Sequence, residues 1–424
     1  MEMRNGTLVP GAARSQGRLT GWPVTPPRVA SASVLPPPPA LPRIKVLHVI
    51  TRLQAGAGGN TLLSAQGMDS ARYEVWIAGV PGGDLWDSAR ATGVRTVEVP
   101  GFRHTLTPMD LLVLWRLVRL VRRERFTVVH THSAKGGFLG RVAARLCHTP
   151  VVVHTFHGVS FHPYQSRGRR GLYRCLERVT RRFTHGFLAV SPRVAEQAVT
   201  ERLASPGRVQ VVPSAVDLAH IPGRFDPLAR RVLGVPRHTA LIGTIGRLDT
   251  QKAPLDFVRM AAALHAERPG TAFVMIGDGP LAGDVRRLAA DLGVEVILTG
   301  HRPDAAWLAS GLDVFVITSL YEGLGRALTE ALATARPVVA TAVNGVPDLV
   351  EHGATGLLVP PGDPPAAVAA VRWLLDHPRE ASEMGRQGQR RVRGTFAPQA
   401  MCAALDTCYR DLLGLPPPDR APGS

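Results

Sequence analysis

No apolar run in this chain approaches the ~20 residues needed to span a bilayer. No apolar segment near the start has the form of a secretory leader. Cysteine is scarce. The four present, Cys147, Cys175, Cys402 and Cys408, form no C-x-x-C pair, so neither a zinc site nor a disulfide framework is indicated. A reducing cytoplasm is then the simplest compartment. The G-x-G-x-x-G dinucleotide fingerprint is missing, and so is an H-x3-H spacing with a carboxylate, which leaves no metal to propose. Acidic residues are outnumbered, 33 Asp and Glu against 50 Lys and Arg, for a formal charge of +17. Such an excess fits an acidic partner, whether nucleic acid, an anionic membrane or a phosphorylated substrate. It also fits an arginine-rich genome.

The chain does have 424 residues, 45% of them hydrophobic, enough for two domains with proper cores. Residues 1–43, rich in Pro, Ala, Arg and Ser, could bury no core. They are expected to be a disordered extension, or to precede the true start. From residue 44 short apolar runs alternate with glycine turns and helical patterns. Strands are expected at 44–50, 73–78, 94–99, 127–130, 151–154, 186–190 and 209–212. After a Pro- and Gly-punctuated hinge (213–236) more follow at 240–245, 272–276, 295–298, 314–317, 338–340 and 357–359. That order predicts an α/β protein of two doubly wound, Rossmann-like domains, 44–213 and 214–397, with a crossover helix and tail at 398–424.

The most informative stretch is 319–341, SLYEGLGRALTEALATARPVVAT. A buried strand leads into a turn with Glu322, where Gly323 and Gly325 would let backbone approach a ligand. A helix is expected to run from there to about Ala335 and to stop before Pro337. Strand, glycine turn and helix N-terminus make an anion site suited to a diphosphate. Glu330 lies eight residues beyond Glu322. On a continuous helix the two would stand about 12 Å apart, too far to flank one bond as hydrolytic carboxylates do. They could hold two parts of a long ligand, or be solvated helix glutamates.

Earlier in the chain, 51–59 (TRLQAGAGG) reads as a glycine loop containing Gly56 and Gly58, with Asn60 capping the next helix. His132, Lys135, His154 and His157 sit near strand ends, where open parallel sheets bind ligands. His132 and His154 also read as packing histidines. Gly158 marks a close turn after His157. Arg247 supplies a planar fork and Lys252 a point charge, both suited to a diphosphate.

The sequence from Glu322 to Thr341 resembles the donor-site signature of the retaining glycosyltransferases with the E-x7-E motif, similar to glycosyltransferase family 4. The likeness runs from about residue 44 to 413 and is more specific in the second half. It implies a GT-B fold, two Rossmann-like domains facing across a cleft. It further implies transfer of a sugar from a nucleotide diphosphate sugar to an acceptor hydroxyl, with retention, in polysaccharide or glycolipid synthesis. In that resemblance Glu322 and His157 contact the transferred sugar. Arg247, Lys252 and the amides of Leu324, Gly325 and Arg326 hold the diphosphate, and Glu330 holds the ribose. Gly56 and Gly58, with His132 and Lys135, face acceptor and phosphate. No cofactor beyond the nucleotide-sugar and no essential metal are implied. Three positions depart from the family pattern: the loop at 55–59, Ala215 and Ala253, the last two replacing glycine. A nucleotide-sugar epimerase and a non-catalytic sugar-nucleotide-binding protein remain as rival readings.

Segment 111–126 mixes an apolar stripe with Arg116, Arg119, Arg122, Arg123 and Arg125, as an interfacial helix does. Together with the basic segment 167–182 it predicts peripheral association with an anionic membrane and an acceptor that is a sugar or lipid-linked glycan. Nucleic acid is not the expected partner. The same arginines also suit the solvated face of a sheet-covering helix.

Overall fold

The computed structural model describes residues 42–102 and 107–416; the expected extension at the start and the last residues of the tail lie outside them. Thirteen strands are present among these residues: β1 (Ile44–Arg52), β2 (Tyr73–Val80), β3 (Arg95–Glu98), β4 (Val128–His132), β5 (Val151–Phe156), β6 (Gly186–Ala189), β7 (Val209–Val211), β8 (Ala240–Ile245), β9 (Thr271–Ile276), β10 (Val296–Leu298), β11 (Val314–Ile317), β12 (Val338–Thr341) and β13 (Leu357–Val359). They form two sheets of order β3-β2-β1-β4-β5-β6-β7 and β10-β9-β8-β11-β12-β13. Every strand pairing is parallel. The two Rossmann-like units expected from the sequence are therefore present.

Parallel strands covered on both faces should be apolar throughout. The central strands β4, β5, β6, β11 and β12 are buried along their whole length, but β4 and β5 depart from the apolar rule with buried His130, His132 and His154. In each sheet the winding reverses between a pair of central strands, β1 and β4 in one, β8 and β11 in the other. Crevices open at the carboxyl ends of the strands at such switch points.

Two passages join the sheets. The first leaves β7 through Val212 to Phe225, and the second enters the last helix, Pro398–Leu413, through Phe396 and Ala397. They run side by side where the amide of Val216 donates to the carbonyl of Phe396 at 3.1 Å. Helix Pro398–Leu413 packs on the first sheet. Tyr409 Oη meets His130 Nδ1 at 2.6 Å, and Tyr73 Oη donates to Asp406 at 2.8 Å.

The segment read as a glycine loop is helical: the helix begins at Ala55 and runs to Gly67. Its glycines disfavour helix, so packing decides. A Cβ on Gly58 would stand 2.6 Å from the carbonyl carbon of Leu53. Asn60 does not cap the helix. It is buried in the helix interior, and its side-chain oxygen accepts from the amide of Ala215 at 3.1 Å.

A candidate active site at the facing ends of the two sheets

Residues after β8, β11 and β12 build one wall. Hydrogen bonds join the β8 and β11 loops: Thr318 Oγ1 donates to the Lys252 carbonyl at 3.0 Å, and Gln251 Nε2 donates to the Tyr321 carbonyl at 3.0 Å. This places the ammonium of Lys252 on Glu322 Oε1. Ser319 Oγ donates to that same oxygen at 2.8 Å, and Gln251 Nε2 reaches Oε2 at 3.5 Å. The backbone of Glu322 is fixed from β12, because its amide donates to Asn344 Oδ1 at 3.0 Å. The Glu322 side chain is 7% exposed, so its charge is held by named donors rather than by water.

Arg247 is less constrained. Its side chain is 63% exposed and lies 3.3 Å from Asp249. The loops around it are tight: a Cβ on Gly279 would stand 2.7 Å from the backbone nitrogen of Leu248. Leu324 places its side chain in the core, so only its backbone can face a ligand. Gly325 has φ 90°, a left-handed conformation that suits glycine, and precedes the helix Arg326–Ala333. That helix starts four residues after Glu322 and ends at Ala333, so the two glutamates do not share a helix. Within it Arg326 Nε donates to Glu330 at 2.7 Å, while Arg326 Nη1 is buried without a partner.

The other wall comes from β1, β4 and β5. His132 is the last residue of β4 rather than part of a loop, and it is fully buried. Its Nε2 meets His48 Nδ1 at 2.8 Å and its Nδ1 meets His157 Nε2 at 3.0 Å. His130 is bonded to Tyr409 and to Thr155. His154 is a packing histidine, bonded to Thr131 at 2.9 Å and edge-on to Phe156. Burial holds all of these rings neutral: His48 is pushed down to about 3, His157 to about 4, and His130, His132 and His154 well below the usual range. Nitrogens of His48, His130 and His132 lie within 4.8 Å of one another, close enough for a shared cation. Five of their six nitrogens already bond to other side chains. Lys135 is buried, with its ammonium on Asp110, and serves that pair in this structure.

The walls meet through backbone. A Cβ on Gly323 would overlap the carbonyl oxygen of His157 and stand 2.6 Å from its carbon. The opposite half of the protein by itself therefore requires glycine at 323. Gly59 is also crowded from the opposite half, but by the flexible end of a side chain: a Cβ there would stand 2.6 Å from Cζ of Arg326. Tyr321 stacks on His162 with ring centroids 3.9 Å apart. His301 meets Asp84 at 2.6 Å, and Arg193 meets Asp348 at 3.3 Å. His48 and Tyr321 were not singled out by sequence, since their ring partners lie far away along the chain. For Asn344 the signal was the turn Asn344-Gly345, close after a strand.

Two family models match the chain, one described as Glycosyltransferase Family 4 over residues 56–220 and one as Glycosyl transferases group 1 over 239–377. The chain is 30% identical to the UDP-Gal:alpha-D-GlcNAc-diphosphoundecaprenol alpha-1,3-galactosyltransferase of Escherichia coli, over 79% of this chain and 88% of that protein. It is 30% identical to a D-inositol 3-phosphate glycosyltransferase of Arthrobacter, over 70% and 72%. Among solved structures it resembles Anabaena HepE in complex with UDP and glucose, with TM-score 0.76 and 18% identity over 87% of this chain and 100% of that one.

Proposed function

From the premise that the chain belongs to glycosyltransferase family 4, we propose that it transfers a sugar, with retention at the anomeric carbon, onto a glycan carried by a lipid diphosphate. It is a nucleotide-sugar-dependent glycosyltransferase of the GT-B fold. The observation that carries the site reading is the Lys252–Glu322 pair at the β8/β11 switch point, with the adjoining Gly323 lying against the carbonyl of His157 after β5.

In this reading the donor diphosphate draws Lys252 and Arg247, and the amides at the start of helix Arg326–Ala333 complete its cradle. The developing charge on the leaving diphosphate is stabilised there, by groups placed before the reaction begins. Glu322, held by Ser319, accepts from hydroxyls of the donor sugar. Glu330 and the unpartnered face of Arg326 serve the ribose end. Gly56, in the first turn of its helix, faces Arg326 from the acceptor side, while Gly58 and Lys135 support that wall from within.

The finer assignment of acceptor and place rests on the surface of the first unit. Helix Asp110–Glu124 leaves Leu111 77% and Trp115 55% exposed, beside Arg116, Arg119, Arg122 and Arg123. Helix Arg167–Thr180 adds exposed Leu172 and Val179 among arginines. Apolar side chains rimmed by basic ones suit the cytoplasmic face of an anionic membrane. No helix among the described residues is long and apolar enough to cross a membrane. The acceptor named for the Escherichia coli relative is itself a lipid diphosphate, which favours this choice.

Incubation with a panel of nucleotide-sugars, reading released nucleoside diphosphate, identifies the donor. Transfer to a lipid-diphosphate sugar but not to the free sugar is the expected result. Conversion of donor to an isomer without acceptor would instead reveal an epimerase, and binding without turnover a carrier. Sedimentation with anionic and neutral vesicles at low and high salt tests the surface, and equal recovery in all four supernatants would remove the membrane.

A further inference from the structure

Three histidines lead from the interior of the first sheet to the cleft. β1 and β4 pair in parallel with His48 opposite His130, and His132 lies two residues further along β4. His48 and His132 thus share a face and meet at 2.8 Å; His132 then meets His157, just past the end of β5, at 3.0 Å. Each nitrogen–nitrogen hydrogen bond uses one proton and one lone pair. A neutral imidazole has one N–H and one bare nitrogen, and burial keeps all three rings neutral. The two bonds must therefore run in the same direction.

Only two arrangements exist. If protons point inward, from His157 toward His48, then His48 Nε2 carries an N–H. That atom is buried and has no partner. If protons point outward, His48 Nε2 keeps only a lone pair and His157 Nε2 accepts. Buried N–H groups are rarely left orphaned, whereas acceptors left unused are better tolerated. The far end of the chain differs. His157 is half-buried, and its Nδ1 is neither sealed from solvent nor bonded to a side chain among the described residues.

We propose that His48 and His132 are positioning residues that hold His157 as its Nδ1–H tautomer, so that the cleft is offered a hydrogen-bond donor and never a base. This rests on the reading that His157 faces the transferred sugar. A neutral donor in that place grips a sugar oxygen without taking a proton from the acceptor hydroxyl. The deprotonation is then left to the departing phosphate on the opposite wall. The outer groups of an imidazole relay fix tautomer and ring orientation in this manner elsewhere.

Protein labelled with nitrogen-15 histidine gives the answer directly, through long-range proton–nitrogen correlation assigned with His157→Asn and His48→Leu. The expected pattern has protonated Nδ1 and bare Nε2 on both His48 and His157. An N–H at His48 Nε2 would overturn the proposal, and so would stoichiometric bound zinc on these nitrogens. In kinetics, His48→Leu should lower kcat by about tenfold with the donor KM nearly unchanged. His48→Asn, which keeps an N–H near the Nδ1 position, should recover most of that loss. Equal activity of the Leu and Asn variants would count against the proposal, with unchanged nucleotide affinity certifying the fold of each. Turnover that survives His157→Ala would sink the sugar-contact reading instead, while the tautomer pattern still decides the polarity.

Discussion

Gly59 and Arg326 occupy the same small space from opposite halves of the protein: the guanidinium lies where a Cβ on Gly59 would be, with Cζ 2.6 Å away. The helix Ala55–Gly67 thus sets the position of a side chain whose Nη1 has no partner of its own. Gly59→Ala should leave the fold intact, because the obstacle is the far end of a flexible side chain. It should weaken nucleoside diphosphate binding about tenfold, the scale of one charge-assisted hydrogen bond. Calorimetry with the free nucleotide measures this, and an unchanged Kd would detach Gly59 from the donor site.

Glu330 and Glu322 separate by what they are expected to change. Glu330→Ala removes the partner of Arg326 and, on the proposed reading, the acceptor for the ribose hydroxyls, and should weaken nucleotide binding by roughly 1.5–3 kcal/mol. Glu322→Gln should leave nucleotide affinity within about threefold while lowering kcat on the order of a hundredfold, as loss of a preorganised polar contact does. Titration calorimetry and steady-state rates on the same preparations distinguish them. A kcat near normal for Glu322→Gln would take it out of the sugar subsite.

Much of this arrangement is legible along the chain and some of it is not. Buried parallel strands declare themselves as short apolar runs, which is why all thirteen could be placed within a few residues. The Glu322 turn is equally local, a strand followed by glycines and a helix. The helix from Ala55 is different, since four of its thirteen residues are glycine and no apolar stripe offsets them. Its glycines answer to Leu53 and to Arg326, contacts invisible to a local pattern. Gly323 has a second reason that the chain does not announce: closeness to the His157 carbonyl makes the same demand of a residue as closeness to a ligand. His48 carried no signal at all, because its partner is 84 positions away.

The neutral histidines make stability depend on acid. In the unfolded chain they titrate near 6.5, whereas in the fold His157 waits until about 4, His48 until about 3, and the other three remain well below 6.5. Below pH 6.5 the unfolded state binds more protons than the native one, so stability falls as pH falls toward those folded values. Each such ring contributes up to about 1.4 kcal/mol per pH unit. The denaturant midpoint should therefore drop steeply between pH 6.5 and 4.5, and less so in a His154→Gln variant. A flat midpoint across that range would mean the rings are charged in the fold.

Ala253 stands at φ 45°, in the left-handed region where a Cβ is crowded, just before helix Pro254–Glu267. Relief of that crowding outweighs the extra freedom of glycine in the unfolded chain. Ala253→Gly should stabilise the protein by about 0.5–1 kcal/mol in equilibrium unfolding, and a loss of stability would show that the methyl packs usefully where it is.

Helix Pro398–Leu413 has a consequence for how the protein is made. It covers Val46, Val128, Val151 and Leu188 with Met401, Leu405 and Tyr409, so the first sheet is finished by the last helix among the described residues. During translation that sheet leaves the ribosome well before its cover is synthesised, and its apolar face must wait through the whole of the second unit. Such waiting surfaces are where nascent chains aggregate or recruit chaperones. Ribosomes stalled before residue 398 should therefore carry a first unit that is sticky and protease-sensitive, even though every strand of its sheet has already emerged.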